Sequence, residues 1–182
     1  MLKKFKENMK IDYERTFLFA DPHFYHKNII GYENRPFKDV YEMNDTIISN
    51  WNKVVKKQDK VFLAGDVSFA NKMLTEAIIN QLNGDIVLIL GNHDLDHSYS
   101  FWKTQFKEVS KYPIILDKFF IISHHPMYLE SNSPYVNIYG HVHSDDRYKD
   151  YTNNTFCVSA ERINYTPISL AEIITKMKNY ES

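Results

Sequence analysis

Ile86-Val87-Leu88-Ile89-Leu90-Gly91-Asn92-His93-Asp94 is the stretch on which the reading of the chain turns. Five branched aliphatics in succession describe a strand buried on both faces of a sheet. The run stops at a glycine and then delivers an amide, an imidazole and a carboxylate in consecutive positions. In open α/β sheets the functional crevice lies outside the carboxyl ends of the strands. One such block is a weak signal, and its weight comes from repetition at four other strand ends.

Upstream, residues 16–20 read as a first buried strand ending at Asp21-Pro22-His23, and residues 61–64 as a second ending at Gly65-Asp66. Between them the loop from Phe24 to Pro36 is too irregular to assign. A helix is expected over 40–55, with Val40, Met43, Ile47, Ile48, Trp51, Val54 and Val55 on one stripe. Asp39 and Glu42 resemble a capping box at its start. A second helix over 72–82 is stopped by Asn83-Gly84, and Tyr99, Trp102 and Phe106 suggest a short third one. From about Ser110 strands dominate: 113–116 and 119–123 flank Asp117-Lys118 as a hairpin, and 136–139 and 155–158 follow. The tail over 169–180 is helical, opened by a capping box at Ser169 and Glu172. Strand–helix alternation followed by a strand-rich half implies two sheets packed face to face with helices outside.

At 182 residues the chain is read as one domain over 1–182, with 1–10 as a frayed N-terminal extension. Hydrophobic content of 43% and charged content of 25% are ordinary globular values. A net charge of -1 gives no global pull toward nucleic acid or an anionic membrane, so nucleic acid enters only as a substrate class. Cys157 is the only cysteine, which excludes an internal disulfide and a thiolate cage. No segment approaches the roughly eighteen apolar residues that span a bilayer. Residues 1–10 lack the apolar core of a secretory signal, so a cytoplasmic protein without a membrane partner is expected. The oligomeric state is not legible.

The strand ends together hold Asp21 and His23; Asp66; Asn92, His93 and Asp94; His124 and His125; His141 and His143. These oxygen and nitrogen donors, without sulfur, suit Mn, Fe, Zn or Ni better than Cu(I) or an iron–sulfur cluster. Their number exceeds the three or so protein ligands of a single catalytic ion. Two ions sharing a bridging carboxylate, about 3.5–4 Å apart, would use them all. Asp-x-His and His-x-His place alternate side chains on one side of an extended segment, so each pair can converge. Gly65, Gly91 and Gly140 precede these residues and mark tight turns or close backbone approach.

Asp21-x-His23, Gly65-Asp66, Gly91-Asn92-His93-Asp94, His124 with Pro126, and Gly140-His141-x-His143 resemble, in order, the five signature blocks of the calcineurin-like metallophosphoesterase superfamily. The segments from His26 to Ile30, Asn34 to Phe37 and Tyr165 to Leu170 are similar to the small stand-alone phosphoesterases of bacteria and phages. The resemblance implies an α/β four-layer sandwich of two packed mixed β-sheets flanked by α-helices, with a dinuclear metal site at the strand C-terminal ends. It implies two divalent ions, manganese foremost and iron, zinc or nickel as alternatives. By motif position Asp21, His23 and His143 hold the first ion, Asn92, His124 and His141 the second, and Asp66 bridges them. His93 then binds no metal, faces the substrate phosphate and assists the leaving group. Asp66 is followed by Val67-Ser68-Phe69-Ala70, not by the Asp-Arg pair of the protein serine/threonine phosphatases, which sets that subclass aside. Tyr25 stands where the small relatives often carry glycine.

Two residues outside the blocks are carried as substrate-binding candidates. Arg35 suits a bidentate phosphate clamp, with a structural ion pair as the alternative. His26 is either a partner supporting the metal ligands from behind or loop surface. His124 is preferred over His125 as the ligand because it stands two positions before Pro126, leaving His125 at the surface or facing substrate. Asp94 is read as a local hydrogen-bonding group and Cys157 as inert. The expected function is a metal-dependent phosphoesterase acting on a small or nucleotide-type phosphomonoester or phosphodiester, with a metal-bridging hydroxide as nucleophile. The alternatives are a catalytically silent scaffold for protein binding, which would be expected to have lost His93 or several ligands, and a nuclease, which would normally show a basic groove.

Overall fold

A computed structural model describes residues 11–130 and 132–179. The apolar runs do form the central strands. β1 (Thr16–Phe19), β2 (Lys60–Leu63), β3 (Asp85–Ile89) and β4 (Glu108–Ser110) pair in parallel, and β9 (Ile168–Ser169) adds antiparallel to β1. A second sheet runs β5 (Ile114–Leu116), β6 (Phe120–Ser123), β7 (Val136–Tyr139), β8 (Thr155–Cys157), antiparallel between β5 and β6 and parallel onward. Both sheets are therefore mixed.

Alternation along the strands explains why the runs are apolar on every residue. Phe17, Phe19, Val61, Leu63, Ile86 and Leu88 pack outward onto Met43, Ile47 and Trp51 of α2 (Val40–Val54), Ile78 and Ile79 of α3 (Lys72–Ile79), and Phe101 and Trp102 of α4 (Tyr99–Gln105). Leu18, Phe62, Val87 and Ile89 face the other way and meet Phe120, Ile122, Ile138 and Phe156 of the second sheet. Leu170, Ile173 and Met177 of α5 (Leu170–Lys178) join this inter-sheet core. The molecule is an α/β fold of two packed mixed sheets flanked by helices, as expected. No helix among the described residues is long and apolar enough to cross a membrane.

The helix starts follow the caps read in the sequence: Asp39 accepts from Tyr41 N and Glu42 N, and Ser169 Oγ from Glu172 N. Asp117 and Lys118 turn the hairpin with left-handed φ of 47° and 65°, and Phe119, expected in the strand, belongs to the loop, since Leu116 pairs with Phe120. Besides the 3-10 turns, three short elements escaped the sequence: α1 (Ile29–Tyr32), inside the loop left unassigned, β4 and β9. α3 stops at Ile79, after which Gln81 N bonds Ile78 O and Leu82 N bonds Ile79 O as the chain turns. The frayed extension expected over 1–10 and the last turn expected at Tyr180 lie outside the described residues. Parallel pairing brings the carboxyl ends of β1, β2 and β3 to one edge, and those of β6, β7 and β8 to another. A bond from Ala20 N to Val158 O, 2.9 Å, stitches the two edges together.

Candidate metal centre

Convergence of the side chains is achieved differently from the extended geometry expected for Asp-x-His and His-x-His. Asp21 (φ 58°), His23 (51°), Asp66 (56°), His141 (71°) and His143 (46°) all adopt the left-handed region. That region costs an ordinary L-residue about 1–2 kcal/mol, and Asp and His are among the residues that tolerate it best. Hydrogen bonds hold the kinks: Asp21 N to Gly65 O at 3.1 Å, His23 N to Asp66 O at 3.1 Å, and His141 N to Asp21 Oδ2 at 2.7 Å. Gly91 is required by close approach, since a Cβ there would stand 2.2 Å from Asp66 Oδ1. Gly65 combines a φ of 86° with a Cβ position 2.5 Å from Gly91 N.

Donor atoms of Asp21, His23 and His143 lie within 4.8 Å of one another, as do those of Asp21, Asp66 and His124 and those of His124, His125 and His141. Asp66 stands between the groups: its Oδ2 is 3.5 Å from His23 Nε2 and 3.5 Å from His124 Nε2. Asn92 makes no cap bond to the 3-10 turn His93–Asp96, and its Oδ1 sits 2.8 Å from His124 Nε2 instead. Both ring nitrogens of His124 face oxygen acceptors, Nδ1 the carbonyl of Ala64 at 2.9 Å and Nε2 the Asn92 Oδ1; a cation taking Nε2 and Oδ1 together would leave the ring proton on Nδ1, donated to Ala64 O.

Buried Asp21 Oδ1 and His23 Nε2 have no hydrogen-bond partner among the described residues. A buried acceptor left unmatched is costly, and a divalent cation satisfies a carboxylate and an imidazole at once. These buried His/Asp clusters can bind metal ions, and the donor set fits the group the sequence implies. Burial, reinforced by the Asp66 charge, pushes Asp21 up to about 7. Burial lowers His23 well below its ordinary value, with His143 and Arg35 adding to the effect. His141 falls to about 4, through burial and then its neighbours His124 and His125. His23 and His141 are thus neutral near pH 7, the form in which imidazole ligates. Burial opposes the charge on His143 too, but its hydrogen bond to Glu161 and the charge of Asp21 outweigh that and hold it up at about 9.

His93 is half-buried at the rim. Its backbone N donates to Asp66 Oδ1 at 2.9 Å, and its ring lies 4.8 Å from Phe69 and 5.7 Å from His23. His26 stacks on Phe69 with centroids 3.8 Å apart and sets its Nδ1 3.1 Å from His23 Nδ1, the partner arrangement rather than loop surface. His125 is exposed, with its ring 4.2 Å from that of His141. Asp94 accepts from the backbone N of Asp66, Val67 and Gly91 at 2.9, 2.9 and 2.8 Å, and so is occupied locally.

Arg35 requires a correction. Its side chain is 0% exposed, and every guanidinium N–H is spoken for. Nε and Nη2 reach Glu161 Oε1 at 2.8 and 2.6 Å, Nη1 reaches Pro22 O and Met43 Sδ, and Nη2 also reaches Asp21 O at 2.9 Å. It cannot clamp a substrate phosphate; it braces the backbone of the first block. Glu161, which sequence reasoning passed over, is its partner and also lies 3.1 Å from His143 Nδ1. Its only signal was position, just beyond the carboxyl end of a strand that carried no recognised motif.

No family model matches the sequence. An uncharacterized protein of Methanocaldococcus jannaschii is 37% identical over 174 residues, which is 90% of this chain and 90% of that protein. The chain belongs to the family of that archaeal protein. A solved structure of a protein of unknown function from Aquifex aeolicus, 28% identical, superposes with a TM-score of 0.69 over 88% of this chain and 98% of that one. The two share the fold. A nuclease of Pseudomonas putida is more distant, at 20% identity and a TM-score of 0.48, covering 71% of this chain and 62% of the nuclease.

Proposed function

We propose that this family member is a calcineurin-like, metal-dependent phosphoesterase hydrolysing small or nucleotide-type phosphate esters. The observation that carries the reading is the pair of buried, unpartnered donors, Asp21 Oδ1 and His23 Nε2, beside a carboxylate placed equally from His23 and His124. Asp21, His23 and His143 would hold one ion, Asn92, His124 and His141 the other, and Asp66 both. The ions, when bound, supply Lewis acidity toward a phosphoryl oxygen and lower the pKa of water toward neutrality. The chain's own residues do the rest. With Arg35 withdrawn into the interior, His93, His26 and His125 are the side chains at the rim that can meet a phosphate by hydrogen bonding; burial lowers the pKa of His26 and of His125, which favours their neutral forms. His93 is held at the mouth by its backbone bond to Asp66, and in its protonated form it donates to the leaving oxygen. Manganese is the metal proposed, in a cytoplasmic setting.

The test is hydrolysis of bis(p-nitrophenyl) phosphate and p-nitrophenyl phosphate by chelated protein and by protein reconstituted with Mn. Turnover restored by Mn and abolished by chelator supports the reading. Two bound ions without turnover of either ester favours a silent scaffold, and cleavage confined to an oligonucleotide arm favours a nuclease.

A further inference from the structure

Beyond β8 the chain forms a 3-10 turn, Ala160–Ile163, which lies outside every block singled out in the sequence. Two adjacent side chains of this turn reach both halves of the first cluster. Glu161 places Oε1 and Oε2 at 3.1 and 3.2 Å from His143 Nδ1, while through Arg35 it is tied to the backbone carbonyls of Asp21 and Pro22. Arg162 grips the same histidine from its backbone, Nε to His143 O at 2.6 Å, and anchors itself on Asp145 O and Asp150 Oδ1. The turn is a bracket joining the ends of β1 and β7.

We propose that Glu161 is a positioning residue for one ion of the pair only, the ion of Asp21, His23 and His143, which makes that site the tighter of the two. The proposal rests on the metal-binding reading above. A carboxylate accepting from Nδ1–H fixes the tautomer with the Nε2 lone pair free, orients the ring and raises its basicity as a ligand. Behind His124 the group at hydrogen-bond distance is neutral, the carbonyl of Ala64 at 2.9 Å from Nδ1, and the Asp21 carboxylate stands farther off at 3.7 Å. Donor atoms of Glu33, His143 and Glu161 also lie within 4.8 Å of one another. A third ion there is disfavoured, because the Arg35 guanidinium already stands 2.6 Å from Glu161 Oε1.

Calorimetric titration of the full metal-free chain with Mn, followed in parallel by electron paramagnetic resonance, tests the assignment. Glu161→Gln is expected to weaken one of two ions by about 10–100-fold, the usual effect of losing such a partner, and to leave the other unchanged. The coupled-pair signal should then give way to that of an isolated ion at intermediate Mn. Glu161→Asp, which keeps the charge Arg35 needs, is expected to show a smaller loss at the same ion, and serves if Glu161→Gln does not fold. In a His124→Ala background Glu161→Gln should still weaken the remaining ion in full; in a His143→Ala background its effect should shrink to what loosening Arg35 alone does to Asp21. Equal weakening of both ions, no weakening, or an undiminished loss in the His143→Ala background would overturn the proposal. Wild-type protein that binds no Mn at all overturns the metal-binding reading and this proposal with it.

Discussion

His93 stands one residue from Asn92 and one from Asp94, yet the three side chains have separate occupations. Asn92 meets His124, Asp94 closes the turn, and His93 lies against Phe69 at the rim. His93→Ala is accordingly expected to retain both Mn ions while turnover falls about 10²–10⁴-fold, the usual contribution of general acid catalysis. Alkyl esters should show the larger loss and nitrophenyl esters the smaller, since nitrophenolate needs little protonation to leave. Metal analysis beside kinetics on both ester types checks this. A variant as fast as wild type on alkyl esters would remove His93 from the mechanism. Arg35 shows the opposite case at the same scale. Its charge was visible in the sequence but its direction was not, because nothing in Asn34-Arg35-Pro36 announces a glutamate 126 positions later.

At the scale of elements, the site depends on turns more than on strands. The turn after β3 brings Gly91 so near Asp66 that even a methyl group has no room. Gly91→Ala is expected to displace the Asp66 carboxylate, to lower the affinity for both ions, and to lower the melting temperature even in chelator. Unchanged Mn binding would show that the turn relaxes elsewhere. Long buried elements were legible because periodicity reports burial: β1, β2 and β3 as unbroken apolar runs, α2 as a stripe with its Asp39 cap. β4 was not legible, because a three-residue edge strand with an exposed Glu108 carries no such pattern. α1 is a single turn with no side-chain cap, too short for any period to show. The five blocks could be read as a set from residue type and order. The backbone that makes them converge could not, because left-handed φ leaves no trace in spacing. Glu161 was invisible for a related reason: a lone carboxylate has meaning only through what it touches.

The whole molecule gathers more titrating groups at one edge than it can leave uncompensated. In the metal-free chain His141, held down at about 4, favours the fold least in acid, and its contribution is lost as pH falls below about 6.5. Asp21, raised to about 7, acts oppositely, losing its contribution as pH rises from about 4 through 7. These two offset each other. His143, raised to about 9, contributes fully below about 6.5 and is left unopposed as pH rises through 9. Chelated protein is therefore expected to melt at lower temperature at pH 9 than at pH 6.5. Mn should reverse the trend, because ligands bind metal in their deprotonated forms. The gap between loaded and chelated melting temperatures, measured from pH 6 to 9, should widen; a constant gap would contradict the linkage. The left-handed backbone at Asp21, His23, Asp66, His141 and His143 has a consequence for any lineage of variants. Glycine would relax each of these positions, and at Asp21 and Asp66 it would also remove a buried carboxylate. A library screened for heat survival alone will drift toward glycine there, enriching sturdy chains without a metal centre, and only a screen that demands turnover will keep the five ligands in place.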